Sequence, residues 1–240
     1  MQLTGYVLHK RAYRETSLLV DFFSLEQGRV SAVAKGARGN TKSDRKSLLQ
    51  AFQKLDFALS GRSNLKNVGS VESVGIPVKL EKTALYCAFY INEILSRALP
   101  EAEPIVELFG IYENSLQHLS TLQLATNNEC QVASFEPVLR KFEFSLLHAL
   151  GYLPDFAYDC ASGDAIVDTD FYKYDPQNGF ERCQSDYKYA LSGSCLLSIA
   201  KNEYKYENAK QVRKAAKYIS RIALIEIIGD KPIKSRELFR

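Results

Sequence analysis

The chain has 240 residues, of which 46% are hydrophobic and 25% charged, and its formal net charge is +3 at pH 7. This composition is ample for one or two packed domains. No apolar run approaches the roughly 20 residues that span a bilayer, and residues 1–5 lack the pattern of a signal peptide. Five cysteines, odd in number and irregularly spaced, argue against a disulfide framework. We therefore expect a reduced, cytoplasmic protein without a membrane partner.

Charge is distributed unevenly along the chain. Residues 1–75 carry 12 Lys and Arg against six Asp and Glu, residues 76–200 carry eight against 17, and residues 201–240 carry 11 against five. Local potential steers charged partners more than total charge does. The two basic ends could converge on one face, with the acidic middle turned away or offered to a protein.

Alternating apolar residues predict five strands in the first part of the chain, because side chains of a half-buried strand point alternately inward and outward. The predicted strands cover residues 2–11, 17–24, 29–34, 52–60 and 65–74. No helix-length periodic segment interrupts them. Five strands in about 75 residues predict a small barrel such as the OB-fold, which is a common platform for single-stranded nucleic acid.

A cationic segment follows the third predicted strand. Between Arg29 and Lys46, six cations stand against a single acid, Asp44. Since a basic loop over a rigid sheet suits a phosphate backbone, we predict a polyanion site here; the alternative is a solvated surface loop. Among nearby aromatic residues, Tyr13 is the best candidate for contacting a base, because it lies in a predicted turn beside Arg14.

Beyond residue 75 the apolar period changes from two to 3.6, so we predict a barrel domain over 1–75 and a helical domain over 76–240, an α+β protein. Helices are predicted at about 80–98, 105–119, 134–151, 195–201 and 209–228, with a loop at 120–133 and a short hairpin near Tyr172 and Phe180. The last helix carries a basic stripe, for which the alternative is a solvated face. The stripe contains Lys210, Arg213, Lys214, Lys217 and Arg221.

Catalytic and metal chemistry have little support in the sequence. The three histidines fall on predicted secondary structure without an evident nucleophile. Residues 36–43 superficially resemble a phosphate-binding P-loop, but Thr41 stands where that motif needs glycine. Gly163 occupies the position where a second cysteine would complete a C-x-x-C pair with Cys160. We therefore expect no enzyme, no cofactor and no metal.

Short stretches spread along nearly the whole chain carry a family resemblance. They read Tyr-Arg-Glu-Thr-Ser at 13–17, Gly-Arg-Val at 28–30, Ala-Lys-Gly-Ala-Arg at 34–38, Ser-Gly-Arg at 60–62, Tyr-Ile-Asn-Glu-Ile-Leu-Ser-Arg at 90–97, Leu-Arg-Lys-Phe-Glu at 139–143, Leu-Gly-Tyr-Leu-Pro at 150–154 and Lys-Pro-Ile-Lys-Ser-Arg-Glu-Leu-Phe at 231–239. In this order and spacing they resemble RecO, a family of bacterial recombination mediators and strand-annealing proteins.

The resemblance implies an N-terminal OB-fold and a C-terminal helical domain. It also implies binding of single- and double-stranded DNA, annealing of complementary strands and help in loading recombinase onto coated DNA. The implied partners are the acidic C-terminal tail of single-strand-binding protein and RecR, and the implied location is the cytoplasm near the nucleoid. Many members carry a four-cysteine zinc site, but Gly163 makes this chain resemble the zinc-free branch.

Two groups of candidate contacts follow. The expected DNA-binding residues are Arg14, Arg29, Lys35, Arg38, Lys42, Arg45, Lys46, Arg62, Lys210, Arg213, Lys214, Lys217 and Arg221. The expected tail-binding residues are Arg140, Lys141 and Phe142, which combine an apolar surface with a cation that can bind a carboxylate. The alternative there is that Arg140 pairs with Glu136. Rival functions are a protein-interaction scaffold and an RNA-binding OB protein.

Overall fold

The computed structural model describes residues 1–38, 45–63, 65–125, 132–203 and 209–239. They form two compact units: Met1–Phe135 with Pro232–Arg240, and Glu136–Lys231. The predicted barrel strands end close to the predicted boundary at residue 75, yet the first two long helices belong to the same unit as the barrel. The boundary between a 1–75 domain and a 76–240 domain stays a prediction.

The first unit is built on five strands that close into a barrel in the order β1-β2-β3-β5-β4. They are β1 (Gln2–Tyr13), β2 (Ser17–Ser24), β3 (Gly28–Ala34), β4 (Lys54–Ser60) and β5 (Lys66–Ser73). All neighbours are antiparallel except β3 and β5. A four-residue helix, α1 (Arg45–Leu48), lies between β3 and β4, where only loop was expected. The barrel followed by helices confirms the predicted OB-fold and the α+β class.

Strand β1 pairs with β2 along one edge and with β4 along the other. Gly5 is aligned with Ser24 of β2 and with Leu55 of β4. A side chain at residue 5 would bring its Cβ within 2.3 Å of the Phe23 carbonyl oxygen, so only glycine fits at this crossing. Inside the barrel the alternate residues form a dry core, in which the Phe22 and Phe57 rings stack 4.2 Å apart.

Two helices of the first unit, α2 (Lys82–Ala98) and α3 (Val106–Ala125), pack against the barrel. Helix α3 continues through residues 120–125, which were expected to belong to a loop. Asn92 of α2 donates from Nδ2 to the carbonyls of Val7 and Leu8, each 3.2 Å away. These carbonyls lie at a bulge in β1, where the hydrogen bonds between β1 and β2 cannot satisfy every backbone group. The buried Tyr112 hydroxyl of α3 donates to Asn92 Oδ1 at 2.8 Å, which completes the amide's contacts.

The last described residues return to the first unit. A 3-10 helix, Lys234–Phe239, begins beside α2, where the Glu93 carboxylate accepts the backbone N–H groups of Lys234 and Ser235 at 2.9 and 2.7 Å. Burial would raise the pKa of Glu93, but these hydrogen bonds and nearby Arg97 outweigh it and lower the pKa. The ionised carboxylate thus holds the segment on α2.

The second unit combines helices with a small sheet. After Glu136 it contains the rest of α4 (Val132–Ala149), then β6 (Phe171–Asp175), β7 (Gly179–Cys183), β8 (Leu191–Ser192), α5 (Gly193–Ala200) and α6 (Ala209–Ile228). The hairpin of β6 and β7 and the bounds of α6 match the predictions. Apolar side chains from the helices and from the sheet are fully buried, among them Phe142, Leu146, Tyr172, Phe180 and Leu196. No helix within the described ranges is both long and apolar enough to cross a membrane.

Candidate nucleic-acid interface

Two turns of the barrel present arginines to solvent. Arg14 lies at the tip of the β1–β2 turn with a φ of 52°, and its guanidinium carbon is 5.3 Å from the centroid of the Tyr13 ring. Arg62 is exposed in the β4–β5 turn, which Lys66 braces by donating from Nζ to the Gly61 carbonyl at 3.2 Å. In OB-folds these two turns flank the surface that binds oligonucleotides. Both arginines therefore occupy positions suited to phosphate contact.

The cationic segment after β3 is tied to the β1–β2 turn. Arg38 donates its backbone N–H to the Thr16 carbonyl at 2.8 Å and its Nη1 to the Arg14 carbonyl at 3.3 Å. Lys35 and Arg38 are exposed, as is Lys46 on α1. Lys42 lies outside the described residues, and Arg45 is described only as the first residue of α1. The described part of the segment thus adds its charge to that of the neighbouring turn.

Two further cations on β1 were missed by the sequence analysis. Lys10 donates from Nζ to the Leu49 carbonyl at 2.7 Å, and burial together with the nearby Lys46 ammonium lowers the pKa of Lys10. Lys10 thus adds a second cation beside Lys46. Arg11 is exposed in a cross-strand row with Leu19, which lies outside the barrel core. The sequence does contain a signal for them, because two adjacent cations stand near the end of a long strand whose apolar residues alternate.

Arg29 makes hydrogen bonds within the fold. Its Nε donates to the Leu99 carbonyl at 2.9 Å, and its own carbonyl accepts the backbone N–H of Ala102 at 2.8 Å. Arg29 therefore fastens β3 to the segment after α2. The sequence shows a cation in a basic run, but the side chain is half-buried and used within the fold. The DNA contact of Arg29 stays a prediction, and we leave Arg29 out of the interface proposed below.

The basic stripe on α6 is only partly available. Lys210, Lys214 and Arg221 are exposed, whereas Arg213 is half-buried. Lys217 donates from Nζ to Glu136 Oε1 at 2.7 Å, so one cation of the stripe is paired with α4. The ion pair reduces the charge that Lys217 can offer to a phosphate.

The predicted tail-binding residues are arranged differently from the expectation. Arg140 is 4% exposed, and its Nη2 is 2.7 Å from Glu143 Oε1, while its Nη1 donates to Ser220 Oγ at 2.9 Å. Phe142 is fully buried and Lys141 is exposed. We therefore correct the expected exposed position of Arg140; its acid partner is Glu143, since Glu136 pairs with Lys217. The tail site itself stays a prediction.

The residues around Cys160 do not fit a zinc site. Gly163 offers no ligand, and no cluster of three or more His, Cys, Asp or Glu suited to a metal occurs within the part of the chain that the structure describes. Burial and the Asp159 and Glu181 carboxylates raise the pKa of the Cys160 thiol. Asp159 instead organises this loop by accepting the backbone N–H groups of Ala161 and Arg182 at 2.8 and 3.1 Å.

The barrel topology and the cationic turns define an OB-fold protein with a helical part after the barrel. Two family models match the chain: Recombination protein O N terminal over residues 1–77, and Recombination protein O C terminal over residues 81–237. The chain belongs to the RecO family of DNA repair proteins.

Named relatives agree with the family models over the full length. DNA repair protein RecO of Pseudoalteromonas atlantica is 47% identical over 241 residues, which cover 100% of this chain and 94% of the relative. The protein of the same name from Alteromonas mediterranea is 45% identical over 99% of this chain and 96% of its own. DNA repair protein RecO of Haemophilus influenzae is 41% identical over 98% of this chain and 94% of its own length.

Proposed function

We propose that this protein binds single- and double-stranded DNA through the barrel and anneals complementary single strands. One observation carries the proposal: the hydrogen bonds of Arg38 join the cationic segment after β3 to the turn that holds Arg14, on the barrel end where OB-folds take nucleic acid. Lys35 and Lys46 add exposed charge to this surface. We call the surface formed by Arg11, Arg14, Lys35, Arg38, Lys46 and Arg62 the barrel cation surface.

Annealing needs no covalent chemistry. Two single strands repel each other through their phosphates, so a protein that neutralises both backbones lowers the barrier to pairing. Contacts to phosphate carry no sequence information and leave the base edges free. The barrel cation surface supplies such contacts, and Tyr13, half-buried beside the Arg14 guanidinium, can hold an unstacked base. The proposed activity therefore requires neither a nucleophile nor a metal.

We further propose that the protein acts near the nucleoid, on DNA coated by single-strand-binding protein, and helps to load recombinase with RecR as a partner. Family membership supports this part. The acidic tail of the coating protein needs a cation beside apolar surface. Because Arg140 is already paired with Glu143, the exposed Lys141 is the residue of the predicted set that can meet a tail carboxylate.

The test compares two double variants, each of which removes two positive charges from the first unit. Arg14→Ala with Arg62→Ala changes the barrel cation surface, and Lys79→Ala with Lys82→Ala removes two exposed lysines outside it. Each phosphate contact to a single strand contributes about 0.7 to the slope of log affinity against log salt. The first variant is expected to flatten the slope by about 1.4 and to slow annealing. The second is expected to leave both unchanged; equal effects would refute the assignment.

The rival functions make different predictions in the same assay. A protein-interaction scaffold whose acidic helices are the working surface would bind DNA weakly and without a steep salt dependence. An RNA-binding OB protein would prefer an RNA oligonucleotide over the DNA of the same sequence, through contacts to the 2′-hydroxyl. Measuring both oligonucleotides over a salt series separates the three functions.

A further inference from the structure

Two tyrosines of the second unit form a ring pair in which Tyr189 is exposed and Tyr218 is half-buried. Tyr189, just before β8, stacks on Tyr218 of α6, with ring centroids 5.6 Å apart and an interplanar angle of 16°. Tyr189 is 48% exposed although its ring is large and apolar. The core of this unit is formed by other side chains, so packing alone does not account for an accessible stack at its surface.

Cations surround this pair. The Lys188 ammonium is 5.2 Å from the centroid of the Tyr189 ring. On α6, Lys214 lies four residues before Tyr218 and Arg221 three residues after it, so the three side chains share one helix face. Lys188, Lys214 and Arg221 are all exposed. Burial and the neighbouring hydroxyls of Tyr187 and Tyr189 raise the pKa of Tyr218.

We propose that Tyr189 and Tyr218 form a stacking platform for an unpaired base of single-stranded DNA. The base takes the place of the Lys188 ammonium over the Tyr189 ring, and Lys188 and Lys214 contact the adjoining phosphates. This inference rests on the proposed DNA binding and assigns a second contact for the same ligand. Aromatic rings between lysines are the combination by which proteins hold single strands without reading sequence. In a duplex the base faces are covered by their neighbours, so this platform selects single strands. A protein partner is the other candidate occupant, but the flanking cations match the phosphates of a nucleic acid.

Tyr152 provides a matched control. It is 49% exposed, close to the value for Tyr189, and it lies just after α4, where its backbone N–H donates to the Leu147 carbonyl at 2.7 Å. Truncating Tyr152 thus removes a comparable exposed ring that is not part of the stacked pair.

The experiment uses the full chain, which contains no tryptophan. Tyr189→Trp introduces a single indole whose fluorescence reports a stacked base. We expect a thymidine oligonucleotide to quench it, while an abasic oligonucleotide of the same length and a duplex leave it unchanged. Tyr189→Leu is expected to weaken binding of the thymidine oligonucleotide about tenfold, a typical loss for one stacked base, and to leave duplex binding unchanged. Tyr152→Leu is expected to bind like the wild type, and Tyr189→Phe to retain affinity.

The outcomes distinguish this inference from the proposed function. If the wild type binds DNA with a steep salt dependence, but the indole is not quenched and Tyr189→Leu binds normally, the platform is refuted and the proposed function stands. If the wild type binds neither single strands nor duplex, the proposed function fails and the platform with it. Equal losses in Tyr189→Leu for the abasic and thymidine oligonucleotides would also overturn base stacking.

Discussion

Replacing Asn92 with alanine tests how α2 holds the bulged strand β1. The side chain is 2% exposed, and its amide donates to two carbonyls of the barrel while accepting the Tyr112 hydroxyl at 2.8 Å. Alanine removes all three hydrogen bonds at once. Since Tyr112 is fully buried, its hydroxyl loses its acceptor without gaining a water molecule.

The magnitude follows from the groups that lose their partners. A buried hydroxyl without an acceptor costs about 1–3 kcal/mol. The two carbonyls at 3.2 Å lose weaker bonds, for which we add about 1 kcal/mol. We therefore expect Asn92→Ala to lower the free energy of unfolding by about 2–4 kcal/mol, a large share of the stability of a typical domain.

Urea unfolding of four proteins measures this as a double-mutant cycle: the wild type, Asn92→Ala, Tyr112→Phe and the double variant. When Tyr112→Phe is already present, no hydroxyl is left without a partner, so Asn92→Ala is expected to cost about 1–3 kcal/mol less than in the wild type. Additive costs would show that the two side chains do not interact. A loss below about 0.5 kcal/mol in the single variant would refute the reasoning altogether.

Three further predictions concern charged groups. Alanine replacement of four loop cations is expected to weaken DNA binding similarly for all sequences and to flatten the salt slope, as measured by titration of labelled oligonucleotides, with folding preserved. The replaced residues are Lys35, Arg38, Lys42 and Arg45. Glu93→Gln is expected to lower stability by about 1 kcal/mol at pH 7. Because the folded pKa lies below the ordinary value of 4.5, the wild-type advantage is full above pH 4.5 and disappears as the pH falls through the folded pKa, which urea unfolding at several pH values checks. Arg140→Ala leaves the Glu143 carboxylate buried without this cation and is expected to cost about 3–5 kcal/mol, so thermal unfolding will show a clear loss; unchanged unfolding would contradict the ion pair.

The barrel could be predicted from the sequence because apolar and polar residues alternate along each strand, and this pattern shows which side of the strand is buried. The long helices were equally readable, and the predicted bounds of α6 coincide with those observed. Helix α1 was missed because four residues are too few to show a 3.6-residue period. The end of α3 was missed because a polar surface turn of a helix resembles a loop when its packing partner is unknown.

The candidate interface could be predicted only in part, because sequence shows a charge but not its neighbours in space. Arg29, Arg140 and Lys217 each belong to basic patterns, yet their partners are 70, three and 81 residues away along the chain. Only the nearest of these, Glu143, lies within a helical turn and could have been considered beforehand. Conversely, Arg11 was overlooked because it lies in a strand, where its exposure depends on barrel closure.

The first unit is discontinuous: the chain leaves it at Phe135 and returns at Pro232. During synthesis the barrel and its helices emerge first, but the segment that caps Glu93 emerges only after the whole of the second unit, Glu136–Lys231. Until then the Glu93 carboxylate faces water, and the first unit remains less stable than in the finished protein. Completion of the first unit is therefore coupled to synthesis of the rest, so a chain that is interrupted early never acquires its full stability.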